Sequence, residues 1–301
     1  MARFSSWIAL LAAGALLSTA ASAEPVSGTL GPYAVAMEQD ASLPDHTIYR
    51  PADLNAVRGK LPMIAFGNGG CANVGSAYKT FLGEVASHGY VVTAPGPIEP
   101  PAPVAGQRPS QSKPQQMQAA LTWAQAQAAK PGGVYQGRID TDRLAVMGQS
   151  CGGLEAIQAG GDARVKTVLV LNSGIIRGGI PNADGTVREP SGYLPASAAD
   201  LKNLHTPVAY LIGGPTDQAY RGAEGDFADI AGVPLFNGNT TLGHGGSWRQ
   251  PNGGIMGKAA IDWLNWRLKG DAAASKTFVG ADCGLCRDPQ WTVKSKNFDG
   301  R

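Results

Sequence analysis

Long hydrophobic runs, charge of one sign and histidine are all scarce in this chain of 301 residues. After the first 25 residues no window approaches the ~20 apolar residues of a membrane span, so stable membrane insertion is not expected. Charged residues are only 16%, and 25 Lys and Arg against 23 Asp and Glu leave a formal net charge of +2. That balance gives no electrostatic footprint for nucleic acid or an anionic surface. With 43% hydrophobic residues the chain is still globular rather than disordered. No metal site is expected either. There is no His-Glu-x-x-His, and Cys283-x-x-Cys286 lacks the second pair that structural zinc requires.

The N-terminus reads as an export signal over residues 1–23. Arg3 supplies a positive charge, Trp7 to Leu17 is a short apolar stretch, and Ala21-Ser22-Ala23 is a small-x-small cleavage signal before Glu24. Export places residues 24–301 where disulfides persist, and the chain has four cysteines, Cys71, Cys151, Cys283 and Cys286. Four cysteines allow three pairings.

Residues 24–301 read as one α/β domain with a cysteine-containing C-terminal tail. Tyr33–Met37 and His46–Tyr49 form an early strand pair. Short β-rich runs then alternate with helical patterns. The runs are Met63–Phe66, Tyr90–Thr93, Leu144–Met147, Val165–Leu171, Val208–Ile212 and Pro234–Phe236. The helical stretches are Ser76–Ser87, Gln115–Ala129, Gly153–Ala159 and Ile255–Leu268. Such alternation implies a mostly parallel central sheet with helices on both faces, and the opening pair an antiparallel edge. Ala94–Pro114, rich in proline, and the broken stretch Ile175–Pro207 both leave C-terminal strand ends. Open α/β sheets bind their ligands there, so both are candidate pocket walls.

The chemistry centres on Gly148-Gln149-Ser150-Cys151-Gly152, a G-x-S-x-G between a strand and a helix. In such an elbow the glycines allow a sharp turn that lifts the serine hydroxyl over the sheet at a helix N-terminus. With 41 glycines in the chain the pentapeptide alone is weak; its position gives it weight. A general base must lie at the same sheet end, on a loop after a strand. His88 and His205 precede strands, and His46 sits between the opening strands. His244, in Leu242-Gly243-His244-Gly245-Gly246, follows the last run and is the expected base. The acid belongs between Ser150 and His244, after an intervening strand. Asp217, just past Val208–Ile212, fits, whereas Asp184, Glu224, Asp226 and Asp229 read as solvated charges. Oxyanion donors are expected from the Cys151 amide and, in the Gly67-Asn68-Gly69-Gly70-Cys71 loop, from Gly70 or Cys71. That loop also matches G-x-G-x-x-A through Gly67, Gly69 and Ala72. The strand that follows offers no acidic residue for a ribose, so no dinucleotide, and no other cofactor, is expected.

On these residues the chain resembles an α/β-hydrolase, most closely the bacterial polyesterase–lipase–cutinase group and dienelactone-hydrolase-like esterases. Arg143 to Gly148 with Ser150 resembles the family's nucleophile strand, and Ala86-Ser87-His88-Gly89-Tyr90-Val91-Val92 its helix-to-strand junction. Ile212-Gly213 with Asp217, Gly243-His244, and the opening Gly31–Val35 and Thr47–Pro51 match further positions. The resemblance implies an α/β-hydrolase fold and a secreted serine esterase acting on a small or polymeric ester through an acyl-enzyme. A peptidase or amidase on the same fold, or a noncatalytic binding protein on that scaffold, are the alternatives. It also implies that Cys71 and Cys151, at facing oxyanion positions, pair with each other and leave Cys283 with Cys286. Three departures stand out. Gly70 or Cys71 and Cys151 stand where the family has an aromatic residue and Met, and Asn172-Ser173-Gly174 stands where it has Trp. Those aromatics clamp bulky groups in cutinases, so the resemblance carries the reaction type and leaves the substrate open. Trp248 is the residue at hand to replace that aromatic wall, or else a packed tryptophan.

Overall fold

Alternation of apolar residues decides which face of each strand meets which helices. In Leu144-Ala145-Val146-Met147, Leu144 and Val146 join one buried cluster while Ala145 and Met147 join another. The same period of two sorts Val168 and Val170 from Leu169 and Leu171, as expected for a sheet buried on both faces.

A computed structural model describes residues 23–100, 102, 110–181, 186–189 and 194–298. All of the expected export signal except Ala23 lies outside the described residues, as does Asp184. The strands are β1 (Glu24–Val26), β2 (Val35–Glu38), β3 (His46–Pro51), β4 (Leu61–Gly67), β5 (Val91–Pro95), β6 (Ile139–Gln149), β7 (Val165–Leu171), β8 (Ile180–Pro181), β9 (Val187–Arg188), β10 (Val208–Ile212), β11 (Leu235–Asn239) and β12 (Thr292–Lys296). The helices are α1 (Lys79–Ser87), α2 (Pro114–Ala129), α3 (Cys151–Ala159), α4 (Tyr220–Asp229), α5 (Gly254–Lys269), α6 (Ala272–Ser275) and α7 (Gly284–Arg287).

Ten strands form one sheet in the order β1-β2-β3-β5-β4-β6-β7-β10-β11-β12. The six from β5 to β11 are parallel, flanked by antiparallel β1–β3 on one side and β12 on the other. This is an α/β fold. Met117 and Leu121 of α2 and Leu154 and Ile157 of α3 pack on one face; Phe81 and Leu82 of α1 and Met256 and Trp263 of α5 pack on the other. β8 and β9 form a separate small ribbon. The segment read as a tail passes through α7 and returns to the sheet as β12, against β11. Among the described residues no helix is long and apolar enough to cross a membrane.

Candidate active site

β6 lies between β4 and β7, and its C-terminal end delivers Ser150 to the middle of the sheet. Ser150 has φ 53° and ψ −119°, outside the comfortable regions for a residue with a side chain. The flanking glycines make that turn possible: a Cβ on Gly148 would lie 2.1 Å from the Gly152 carbonyl oxygen, and one on Gly152 2.1 Å from Gly67. Backbone bonds hold the elbow, since Ser150 N–H donates to the Leu171 carbonyl (2.9 Å) and Gly152 N–H to that of Asn68 (3.0 Å).

Ser150 Oγ lies 2.8 Å from His244 Nε2, and His244 Nδ1 lies 2.6 Å from Asp217 Oδ1. Asp217 is buried, which opposes its charge. Hydrogen bonds from His244, the Ala219 amide and Asn172 outweigh that cost and hold its carboxyl below the usual carboxylate range. An ionised carboxylate can only accept, so Nδ1 carries the proton and Nε2 is left to accept from the Ser150 hydroxyl. That is the arrangement a general base requires.

The other histidines lie elsewhere. His88 pairs with Glu84 one helical turn back, and His205 is exposed against the Asn203 carbonyl. His46 differs from the reading that set it aside as a residue between the opening strands. It is the first residue of β3 and pairs with Pro95, at the same sheet end as Ser150. What separates it is lateral distance, with β5 and β4 between its strand and β6, and its buried Nε2 bonds the Gln116 carbonyl.

Cys71 and Cys151 are joined, as are Cys283 and Cys286. The first bridge ties the loop after β4 to the residue following Ser150. The Asn68 carbonyl reinforces it by accepting from both the Cys71 amide (3.1 Å) and the Gly152 amide. This separates the two candidates for the second oxyanion donor. The Cys71 amide is already engaged, a correction to its expected role, because the turn that aims its sulfur at Cys151 also closes its N–H onto Asn68. The amides of Gly70 and Cys151 have no partner among the described residues, and both residues line the cavity over Ser150.

Several positioning groups were not foreseen from sequence. Asn172, at φ 42°, donates to Asp217 Oδ2 (2.7 Å) and the Gly243 carbonyl (3.0 Å) and accepts from Trp248 Nε1 (2.5 Å). Trp248 is therefore no cleft wall. It is fully buried against Phe81, its ring N–H committed to Asn172. Gln149 braces the base loop by donating to the His244 carbonyl (3.0 Å) while Tyr78 donates to its Oε1 (2.7 Å). Asp226, read as solvated, is 0% exposed. It accepts from the Ile175 amide, Tyr210 and Arg177, because α4 turns it inward under the cavity wall. Asp229 and Glu224 stay partly or wholly in solvent and pair with Arg177 and Lys294.

The cavity has a volume of about 380 Å3. Both expected wall segments reach it, the proline-rich one through Gln111 and the broken one through Ile175–Gly179, Val187, Arg188 and Leu194.

Residues 18–172 match the family model described as PET hydrolase-like, about half of the chain. The chain belongs to the PET hydrolase-like family. The matched segment contains both sides of the Cys71–Cys151 bridge and Ser150, while Asp217 and His244 lie beyond it. Membership in this α/β-hydrolase family implies a serine ester hydrolase. A search of curated proteins finds no match.

Proposed function

We propose that this member of the PET hydrolase-like family is a secreted carboxylic-ester hydrolase working through Ser150, His244 and Asp217. The observation that carries the reading is the continuous hydrogen-bonded path from Ser150 through His244 to a buried, ionised Asp217. Secretion is supported by the signal-like N-terminus and by two disulfides.

In this reading Ser150 Oγ attacks the acyl carbon as its proton passes to His244 Nε2. The carbonyl oxygen gains the negative charge and is met by the amides of Cys151 and Gly70. Asp217 stabilises the imidazolium without taking its proton. Collapse of the tetrahedral intermediate breaks the ester C–O bond, and His244 returns the proton to the departing alcohol. Water then attacks the acyl-enzyme by the same route and releases the acid.

The test is fluorophosphonate labelling with parallel hydrolysis of p-nitrophenyl butyrate and p-nitrobutyranilide. Labelling at Ser150 with ester turnover is expected. Anilide turnover alone would move the protein to the amidases, and no labelling would leave a binding scaffold.

A further inference from the structure

Among the described residues, the charged side chains that line the cavity over Ser150 and His244 are all cationic. Arg177, Arg188 and Arg221 line it, and among the described residues no Asp or Glu does. Arg177 is neutralised, with Nη1 2.6 Å from Asp226 and Nη2 2.6 Å from Asp229. Arg188 on β9 and Arg221 near the start of α4 are different. Neither guanidinium has an ion-pair or hydrogen-bond partner among the described residues. In a chain whose formal charge is only +2, two uncompensated guanidiniums in one cavity are a local concentration, not a sample of the background. The N-terminus of α4, ten residues long, adds partial positive charge where Gln218 and Ala219 reach the wall.

The rest of the wall sets the shape of the preference. Leu154, Ile175, Ile176, Val187 and Leu194 give it aliphatic surface, and among the described residues no Trp, Tyr or Phe lines it. Val187 and Leu194 are 52% and 40% exposed, so apolar surface reaches the mouth. An aliphatic chain ending in an anion satisfies both parts of such a wall. A guanidinium pairs a planar carboxylate through two parallel N–H bonds, which sets a distance from the scissile ester as well as a charge.

Resting on the ester-hydrolase reading, we propose that the site takes aliphatic esters bearing a carboxylate, bound by Arg188 and Arg221. The carboxylate can sit on the acyl or on the alcohol side of the ester, and the experiment separates the two.

Steady-state hydrolysis is measured by pH-stat for monomethyl adipate against dimethyl adipate, compared per ester bond, and for 6-acetoxyhexanoate against hexyl acetate. In at least one pair the carboxylate-bearing ester is expected to show a kcat/KM on the order of tenfold higher at low salt. The gain should appear mainly in KM and shrink at about 0.5 M NaCl. The Arg188→Gln/Arg221→Gln double variant is expected to lower that preference ratio on the order of tenfold. Both side chains are exposed, and fluorophosphonate labelling of Ser150 in the double variant shows that it is folded, so the ratio reads binding alone. Equal rates in both pairs, a preference for the neutral esters, or an unchanged ratio in the double variant overturns the proposal while the ester-hydrolase reading stands. Turnover of none of the four esters, with no fluorophosphonate labelling, overturns both.

Discussion

The two halves of the site are held by different means. On the serine side, Cys71 and Cys151 are bonded across a sequence separation of 80 and lock the loop after β4 to the elbow. On the acid–base side nothing is covalent. Asp217 is fixed by the Gly213 and Ala219 amides and by Asn172, and Asn172 in turn by Gly243 and Trp248. The contrast follows what each half must do. Backbone amides that stabilise an oxyanion never titrate, so a permanent bond can hold them. An imidazole that gains and loses a proton in each turnover needs a surrounding that compensates its charge, and hydrogen bonds to an ionised carboxylate provide it.

The largest effects should come from the residues both halves serve. Ser150→Ala and His244→Ala are each expected to lower kcat for p-nitrophenyl butyrate on the order of 10⁶-fold, and Asp217→Asn about 10⁴-fold. Ser150→Ala should leave stability within about 1 kcal/mol. His88→Ala and His205→Ala should keep most activity, since both lie away from the cavity. Activity of Ser150→Ala near the wild-type level would break the assignment.

The comparison itself is broken or sharpened by removing the bond. Cys71→Ser with Cys151→Ser is expected to cost about 4 kcal/mol of stability, the loop-closure value for a bridge of this span. It should also lower kcat on the order of 10²-fold as the donor amides lose their fixed spacing. Cys283→Ser with Cys286→Ser closes a far shorter loop and should cost about 2 kcal/mol or less, with kcat unchanged. Urea unfolding and initial rates on the same preparations read both. A loss of stability without a loss of kcat would make the first bridge a staple and not a positioning device.

Which parts of this were legible in the sequence follows from the range of the interactions. Strands β4 to β7, β10 and β11 announce themselves as apolar runs because both their faces are buried. The elbow is a local motif, and His244 stands out by its place after the last run, although His46 was set aside for a reason the sheet order does not support. β12, Thr-Val-Lys-Ser-Lys, was not legible, because an exposed edge strand needs no apolar pattern. Asn172 looked like a missing tryptophan. Its work depends on Gly243 and Trp248, both more than 70 positions away, and no window of sequence contains them. Asp226 looked like an ordinary helix charge for the same reason.

The serine side also has a polar support, and pH exposes it. Glu155 of α3 is buried, accepts from Ser112 Oγ at 2.8 Å, and burial raises its pKa to about 7. Ser112 in turn donates its amide to the Cys71 carbonyl. A carboxyl whose pKa is higher folded than unfolded holds its proton better in the native state. Stability from it is therefore lost as pH rises from about 4.5 to about 7 and is level above that. The full loss is about 3 kcal/mol. Glu155→Gln keeps the shape and removes the ionisation, so it should gain on wild type by up to that amount between pH 4.5 and 8. Urea midpoints that run parallel for the two proteins across this range would mean that Glu155 is already ionised in the native state.

The smallest effect probes the hydrogen-bonded half at its far end. Trp248→Phe removes the N–H that Asn172 Oδ1 accepts and keeps a ring beside Phe81. A buried acceptor left without a donor costs about 1–2 kcal/mol, and the smaller ring adds a little for lost packing. Because Asn172 also orients Asp217 and Gly243, kcat should fall severalfold with KM little changed. Packing and hydrogen bonding are separated by a double-mutant cycle with Asn172→Ala. If the N–H acts through Asn172, the second substitution costs less in the Trp248→Phe background, with a coupling of about 1 kcal/mol in both stability and activation free energy. Additive losses would mean that Trp248 only fills space, and that Asp217 and Gly243 suffice to orient Asn172. The acid–base half would then end at Asn172 rather than at the core beneath it.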